Sequence, residues 1–183
     1  MLTADHEQQL LTVAHKSIKY ALENREKITF SLTDYPEPLR VIRATFVTIK
    51  IDSALRGCIG TTTAISPLVI SVSDNAHAAA FKDPRFPPLN SREFENICIS
   101  ISILTPAERI RFATERQLLD QLRPGIDGLI IEKGNRKATF LPAVWESLPV
   151  AEEFLIHLKQ KAYINPDQLP DQAWRYQTVS FSE

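Results

Sequence analysis

The chain has 183 residues, 44% of them hydrophobic and 23% charged, which suits one domain with a sizeable core, or one domain with a small satellite. A formal net charge of -1 lacks the basic excess that draws proteins to nucleic acid or anionic lipid, and no apolar run is long enough to span a bilayer. The start, Met1-Leu2-Thr3-Ala4-Asp5-His6-Glu7, has no basic-then-apolar order of a secretory signal; Cys58 and Cys98 are too few for a disulfide framework, so a reduced, cytoplasmic setting is expected.

Residues 8–25 read as an amphipathic helix, with Leu10, Val13, Ile18 and Ala21 on one stripe and Lys16, Lys19 and Glu23 opposite. Residues 34–38 hold two prolines and read as a loop. Residues 41–51 have the β-branched density of a strand, Asp52-Ser53 is a tight turn without the glycine favoured there, and the chain returns antiparallel through residues 55–60. Ser66-Pro67 resembles a helix start, and the helix runs to Phe81 with Leu68, Val72, Ala76 and Ala79 inward. Asp83-Pro84 ends it, leaving residues 85–89 extended or turned.

Ile97, Ile99, Ile101 and Ile103 alternate with Cys98, Ser100 and Ser102, the clearest strand in the chain. A short helix is expected at 115–122 and a hairpin from 128–132 and 137–141 around Lys133-Gly134-Asn135-Arg136. Helical stretches follow from Pro142 and over 150–161, and residues 176–181 read as a closing strand. This order predicts an α+β fold on a largely antiparallel or mixed sheet with covering helices.

The densest chemistry lies in Leu55-Arg56-Gly57-Cys58-Ile59-Gly60. Strand alternation puts Arg56, Cys58 and Gly60 on one face, the first two with Cα atoms roughly 6.6 Å apart. A guanidinium over the thiol favours the thiolate, and the glycines let a ligand approach the backbone. The bland alternative is a small buried cysteine beside glycines that mark a bulge. A cysteine nucleophile needs a base; His77 and His157 are candidates, each a histidine flanking a helix stripe, while His6 and His15 have no motif around them. Arg56, Arg85, Arg136 and Lys137 adjoin loops or hairpin ends and, if they converge, can grip a phosphate or carboxylate. No metal-ligand spacing, phosphate loop or nucleophile elbow is present, and no cofactor is called for.

Three segments together resemble the AMMECR domain family: the hexapeptide; Ala78-Ala79-Ala80-Phe81-Lys82-Asp83-Pro84-Arg85-Phe86-Pro87-Pro88-Leu89; and Arg136-Lys137-Ala138-Thr139-Phe140-Leu141-Pro142 with Val144-Trp145. Order and spacing extend the resemblance over nearly the whole chain, residues 1–183, as a single domain. The resemblance implies an α+β fold with a larger and a smaller subdomain and the hexapeptide near their junction. It implies a family without an established biochemical activity, associated in microbes with Memo-like and radical-SAM proteins. The family pattern matches at Arg56, Gly57, Cys58 and Gly60 and at Asp83, Arg85 and Phe86, whereas His77 stands outside it.

Three functions are weighed. A ligand or anion cleft around residues 55–60 can serve an enzyme, with Cys58 as nucleophile or thiol acid and Arg56 holding the anion; Gly57, Gly60, Asp83, Arg85 and Arg136 complete the candidate binding residues. The same groove can serve a non-catalytic adaptor for a small molecule, a peptide, or a Memo-like or radical-SAM partner. Nucleic-acid binding ranks last because basic excess is lacking.

Overall fold

The computed structural model describes residues 2–183. It is an α+β fold with six α-helices and two antiparallel sheets of four strands each. The chain divides into two compact units, one reaching Ile103 and regaining Val179–Glu183, the other Leu104–Thr178.

The first unit opens with α1 (Ala4–Asn24), four residues ahead of the start expected at residue 8. A capping box explains the early start: the Thr3 side chain accepts from the His6 N–H, and the His6 ring accepts from the Thr3 N–H. The expected loop at 34–38 instead begins a helical turn, α2 (Glu37–Arg40), because proline suits a helix's first positions. Strands β1 (Thr45–Ile51) and β2 (Ala54–Gly60) form a hairpin. Its turn holds Asp52 at φ 50° and Ser53 at φ 66°, the two left-handed residues that match the twist of a two-residue hairpin.

After α3 (Leu68–Phe81) and the single turn α4 (Ser91–Phe94) comes β3 (Ile97–Leu104), paired along its length with β1. With β8 (Thr178–Ser182) the sheet order is β2-β1-β3-β8. Val47, Ile49, Ile99 and Ile101 on one face are fully buried in one cluster with Leu10, Ile18, Leu68 and Val72 from α1 and α3. Each such side chain contributes on the order of 1.5–3 kcal/mol.

The second unit contains β4 (Glu108–Ile110), α5 (Glu115–Leu119), β5 (Gly128–Lys133), β6 (Arg136–Phe140), α6 (Ala151–Lys161) and β7 (Gln172–Tyr176), with sheet order β4-β7-β5-β6. Leu129, Ile131 and Ala173 pack with Leu118, Leu155 and Leu158, and Trp145 stacks on Phe154 at 3.8 Å. Lys159 is fully buried, its ammonium donating to Glu115 and, at 2.6 Å, to the Pro166 carbonyl. The closing strand expected at 176–181 is two strands in two sheets, broken at Gln177, whose backbone bonds to Thr105 instead.

Candidate functional site around the hexapeptide

The hexapeptide lies in β2, which pairs with β1 at the edge of its sheet among the described residues. Along the ladder Lys50 faces Leu55, but its neighbour Ile49 faces Gly57, leaving Arg56 as the extra residue of a β-bulge. A bulge breaks side-chain alternation and re-aims the residue it adds. Cross-strand partners share a face, so Cys58 stands in phase with Thr48, and Leu55 with Lys50. The expected co-facial pairing of Arg56 with Cys58 is undone by that one additional residue.

Arg56 turns instead to the segment after α3 and is 8% exposed. Its Nε and Nη2 donate to the two carboxylate oxygens of Glu93 at 2.7 and 3.0 Å, and Nη2 also donates to the Pro87 carbonyl at 2.8 Å. This is the two-pronged geometry that makes guanidinium–carboxylate pairs strong. The Arg56 hydrogen bond is the main reason the Glu93 carboxyl sits below its ordinary range. Glu93 also closes the α4 capping box, accepting from the Asn90 N–H at 3.0 Å, so Arg56 anchors the start of α4. Its Nη1 is buried without a partner among the described residues.

Asp83 and Arg85 serve the open edge of β2. The Cys58 N–H donates to Asp83 Oδ2 at 2.9 Å, and Arg85 Nη2 donates to the Cys58 carbonyl at 3.3 Å. The two side chains thus take the backbone groups that an unpaired edge leaves exposed. They also bind each other, Arg85 Nε and Nη2 reaching Asp83 Oδ1 and Oδ2 at 2.9 and 2.6 Å. Arg85 foremost, with the Cys58 and Arg85 N–H groups, holds the Asp83 carboxyl far below the usual carboxylate range despite burial. Asp83 in turn raises the Arg85 guanidinium. The Phe86 ring lies 5.7 Å from the Arg56 guanidinium and 5.5 Å from that of Arg85, within cation–π range of both.

The glycines are packing positions. A Cβ at Gly57 would stand 2.1 Å from the Ala79 carbonyl oxygen, and one at Gly60 would stand 2.3 Å from the Phe46 ring. Gly57 therefore lets α3 approach the strand backbone. On the other face Cys58 is partly exposed, and its Sγ accepts from the Thr48 hydroxyl at 3.2 Å. Thr48 in turn faces Ser100, so thiol and two hydroxyls form one row across three strands.

Of the remaining sequence candidates, His77 belongs to the first unit and His157, Arg136 and Lys137 to the second. His77 is on α3, packed on Phe81 at 5.2 Å, and lines a groove with Ala21, Leu22 and Arg25 of α1 and its cap. His157 is exposed on α6 of the second unit. Arg136 and Lys137 lie on the β5–β6 hairpin of that unit. Arg136 Nη1 donates to the Tyr163 carbonyl at 2.8 Å, and Lys137 lies over Trp174 at 5.4 Å and pairs with Glu132 at 3.5 Å. Sequence reasoning missed Glu93 and Thr48. Asn90-x-x-Glu93 is a readable capping pattern, but nothing local links it to Arg56, thirty-seven residues away. Among the described residues no three His, Cys, Asp or Glu side chains are grouped to hold a metal ion, and no helix is long and apolar enough to cross a membrane.

Comparison with known proteins agrees with this fold. The chain is 33% identical to a protein of Methanothermobacter thermautotrophicus over all of its own length and 96% of that protein's. It is 40% identical to a protein of Sulfolobus acidocaldarius, covering 91% of this chain and 75% of the relative. The crystal structure of the uncharacterised protein PH0010 from Pyrococcus horikoshii superposes with a TM-score of 0.88 at 33% identity, covering 96% of this chain and 90% of that one. The family model of AMMECR1 matches residues 11–181, and the chain belongs to the AMMECR1 family.

Proposed function

We propose that the protein is a non-catalytic recognition module that takes a small polar ligand or a peptide on the Cys58–Thr48–Ser100 row. One observation carries this reading: the thiol meets a hydroxyl donor, while the cation expected to activate it is bound to Glu93. The cation that does stand near Cys58, Arg85, is already paired with Asp83; a thiol so placed and without a base beside it is a poor nucleophile but a serviceable binding surface beside hydroxyls that donate and accept. Arg85, its side chain 53% exposed, adds a donor able to meet a carbonyl or carboxylate. Arg56, Gly57, Gly60 and Asp83 hold this surface in shape.

The setting is the cytoplasm, where a reducing milieu keeps the unpaired thiols Cys58 and Cys98 free. The family resemblance supplies a partner to offer, a Memo-like or radical-SAM protein. The test uses a Cys98→Ser background, in which Cys58 is the remaining thiol, and compares its alkylation by iodoacetamide at pH 7 with that of glutathione. Slower labelling than the free thiol, with partner capture retained in Cys58→Ser and lost in Arg85→Ala, is the expected result. Labelling much faster than glutathione would make Cys58 a nucleophile and sink the non-catalytic reading.

A further inference from the structure

A concave surface lies on the helical side of the first unit's sheet, where the end of α1 meets the last turns of α3. The groove encloses about 410 Å³, within the size range of small-molecule sites. Its walls are largely apolar, with Leu22, Phe81 and Pro88 prominent, and its two polar members are Arg25 and His77.

Both polar residues are unusual. His77 Nδ1 is buried and has no hydrogen-bond partner among the described residues, a condition that folded proteins seldom leave unexplained. Burial first, then Lys27 and Lys82 against Asp74, lower the pKa of the imidazole from its ordinary value, so a neutral ring offers one donor and one acceptor. Arg25 caps α1 at φ 60°, the left-handed position where glycine is the default, and its guanidinium has no hydrogen bond or ion pair among the described residues. The acidic groups nearby are engaged: Asp74 with Lys27 at 2.7 Å and Glu26 with the Tyr20 hydroxyl at 3.1 Å. An apolar hollow thus carries an uncommitted cation at its rim and an imidazole in its wall, the Nδ1 of that ring closed to solvent.

We infer that this groove binds a small amphipathic carboxylate, of the class of benzoate or a medium-chain fatty acid. Its apolar body lies on Leu22, Phe81 and Pro88, and its carboxylate pairs with Arg25. The His77 ring lines the wall beside it. The site stands on different residues from the Cys58 row and does not depend on the function proposed there.

The experiment is an NMR titration of the whole protein with sodium benzoate and sodium octanoate, using benzyl alcohol as the uncharged control. Shifts confined to the end of α1, the His77 turn and Pro88, with benzoate bound more tightly than benzyl alcohol, are expected. Arg25→Gln weakens benzoate roughly tenfold and leaves benzyl alcohol unchanged. Arg25→Gly, which relieves the left-handed backbone and so keeps the fold, has the same effect. Three results would each overturn the inference: no shifts in the groove at millimolar benzoate or octanoate, equal affinity for the alcohol, or indifference of benzoate binding to both Arg25 variants.

Discussion

Asp83→Asn tests whether the edge of β2 is held by the Asp83–Arg85 pair. The carboxylate accepts from the Cys58 N–H at 2.9 Å, the Arg85 N–H at 3.1 Å, and Arg85 Nε and Nη2 at 2.9 and 2.6 Å. An amide presents one acceptor oxygen and turns an NH2 toward a guanidinium. Hydrogen bonds to a charged group are worth about 1.5–3 kcal/mol each, but the Arg85 side chain is 53% exposed and regains water when released, which discounts its share. The net loss is about 2–3 kcal/mol, falling mainly on the Cys58 amide, which has no other acceptor. Because the chain divides into two units, one global unfolding energy is ill-defined, and native-state hydrogen exchange at the Cys58 amide is the better assay. Protection should fall roughly 30- to 150-fold, at 1.4 kcal/mol per tenfold. Arg85→Ala combined with Asp83→Asn should cost less than the sum of the two. A change under about threefold, or strict additivity, would refute the view that these side chains stand in for a missing strand. The pH dependence has a definite sign. The folded carboxyl lies below its unfolded value of about 3.9, so its contribution is complete above that value and is lost only as pH falls through the depressed folded value in strong acid.

Three further substitutions probe the same frame. Gly57→Ala drives a methyl to 2.1 Å from the Ala79 carbonyl oxygen, so α3 must shift; a loss of about 3 kcal/mol is expected in native-state hydrogen-exchange protection of the first unit's core amides, and a neutral outcome would show that the helix adjusts freely. Ser53→Gly, at φ 66°, should stabilise the β1–β2 hairpin by about 1 kcal/mol, seen as stronger hydrogen-exchange protection of the local amides. Arg25→Gly, at φ 60°, should stabilise the end of α1 by about 1 kcal/mol, measured the same way, while removing the groove's cation.

The bulge changes what the hexapeptide means chemically. With regular alternation, cation and thiol would share a face and suggest an activated nucleophile. With Arg56 as the extra residue, the cation supports α4 through Glu93 and the thiol is left to the hydroxyl-lined face. The residues that form the motif therefore divide into a buried frame and a half-buried row. Arg85 bridges the two, bonded to the Cys58 carbonyl yet half in solvent.

Much of the architecture was legible from local pattern. The Ile97–Ile103 alternation became β3, with Ile99 and Ile101 fully buried. The stripes of α1 and α3 met the core as read, and Asp52-Ser53 made its turn without glycine. These features depend on periodicity and backbone preference over a few residues, which the sequence carries by itself. The hexapeptide with the segments at 78–89 and 136–145, in that order, likewise sufficed to place the chain in its family. Tertiary structure alone decided three matters. It set the register that makes Arg56 a bulge, it brought Glu93 to Arg56 across thirty-seven residues, and it divided residues 172–182 between two sheets. Each turns on which distant backbone or carboxylate is within reach. Alternation specifies a face but not a partner, and one extra residue in a ladder reverses the face of everything beyond it.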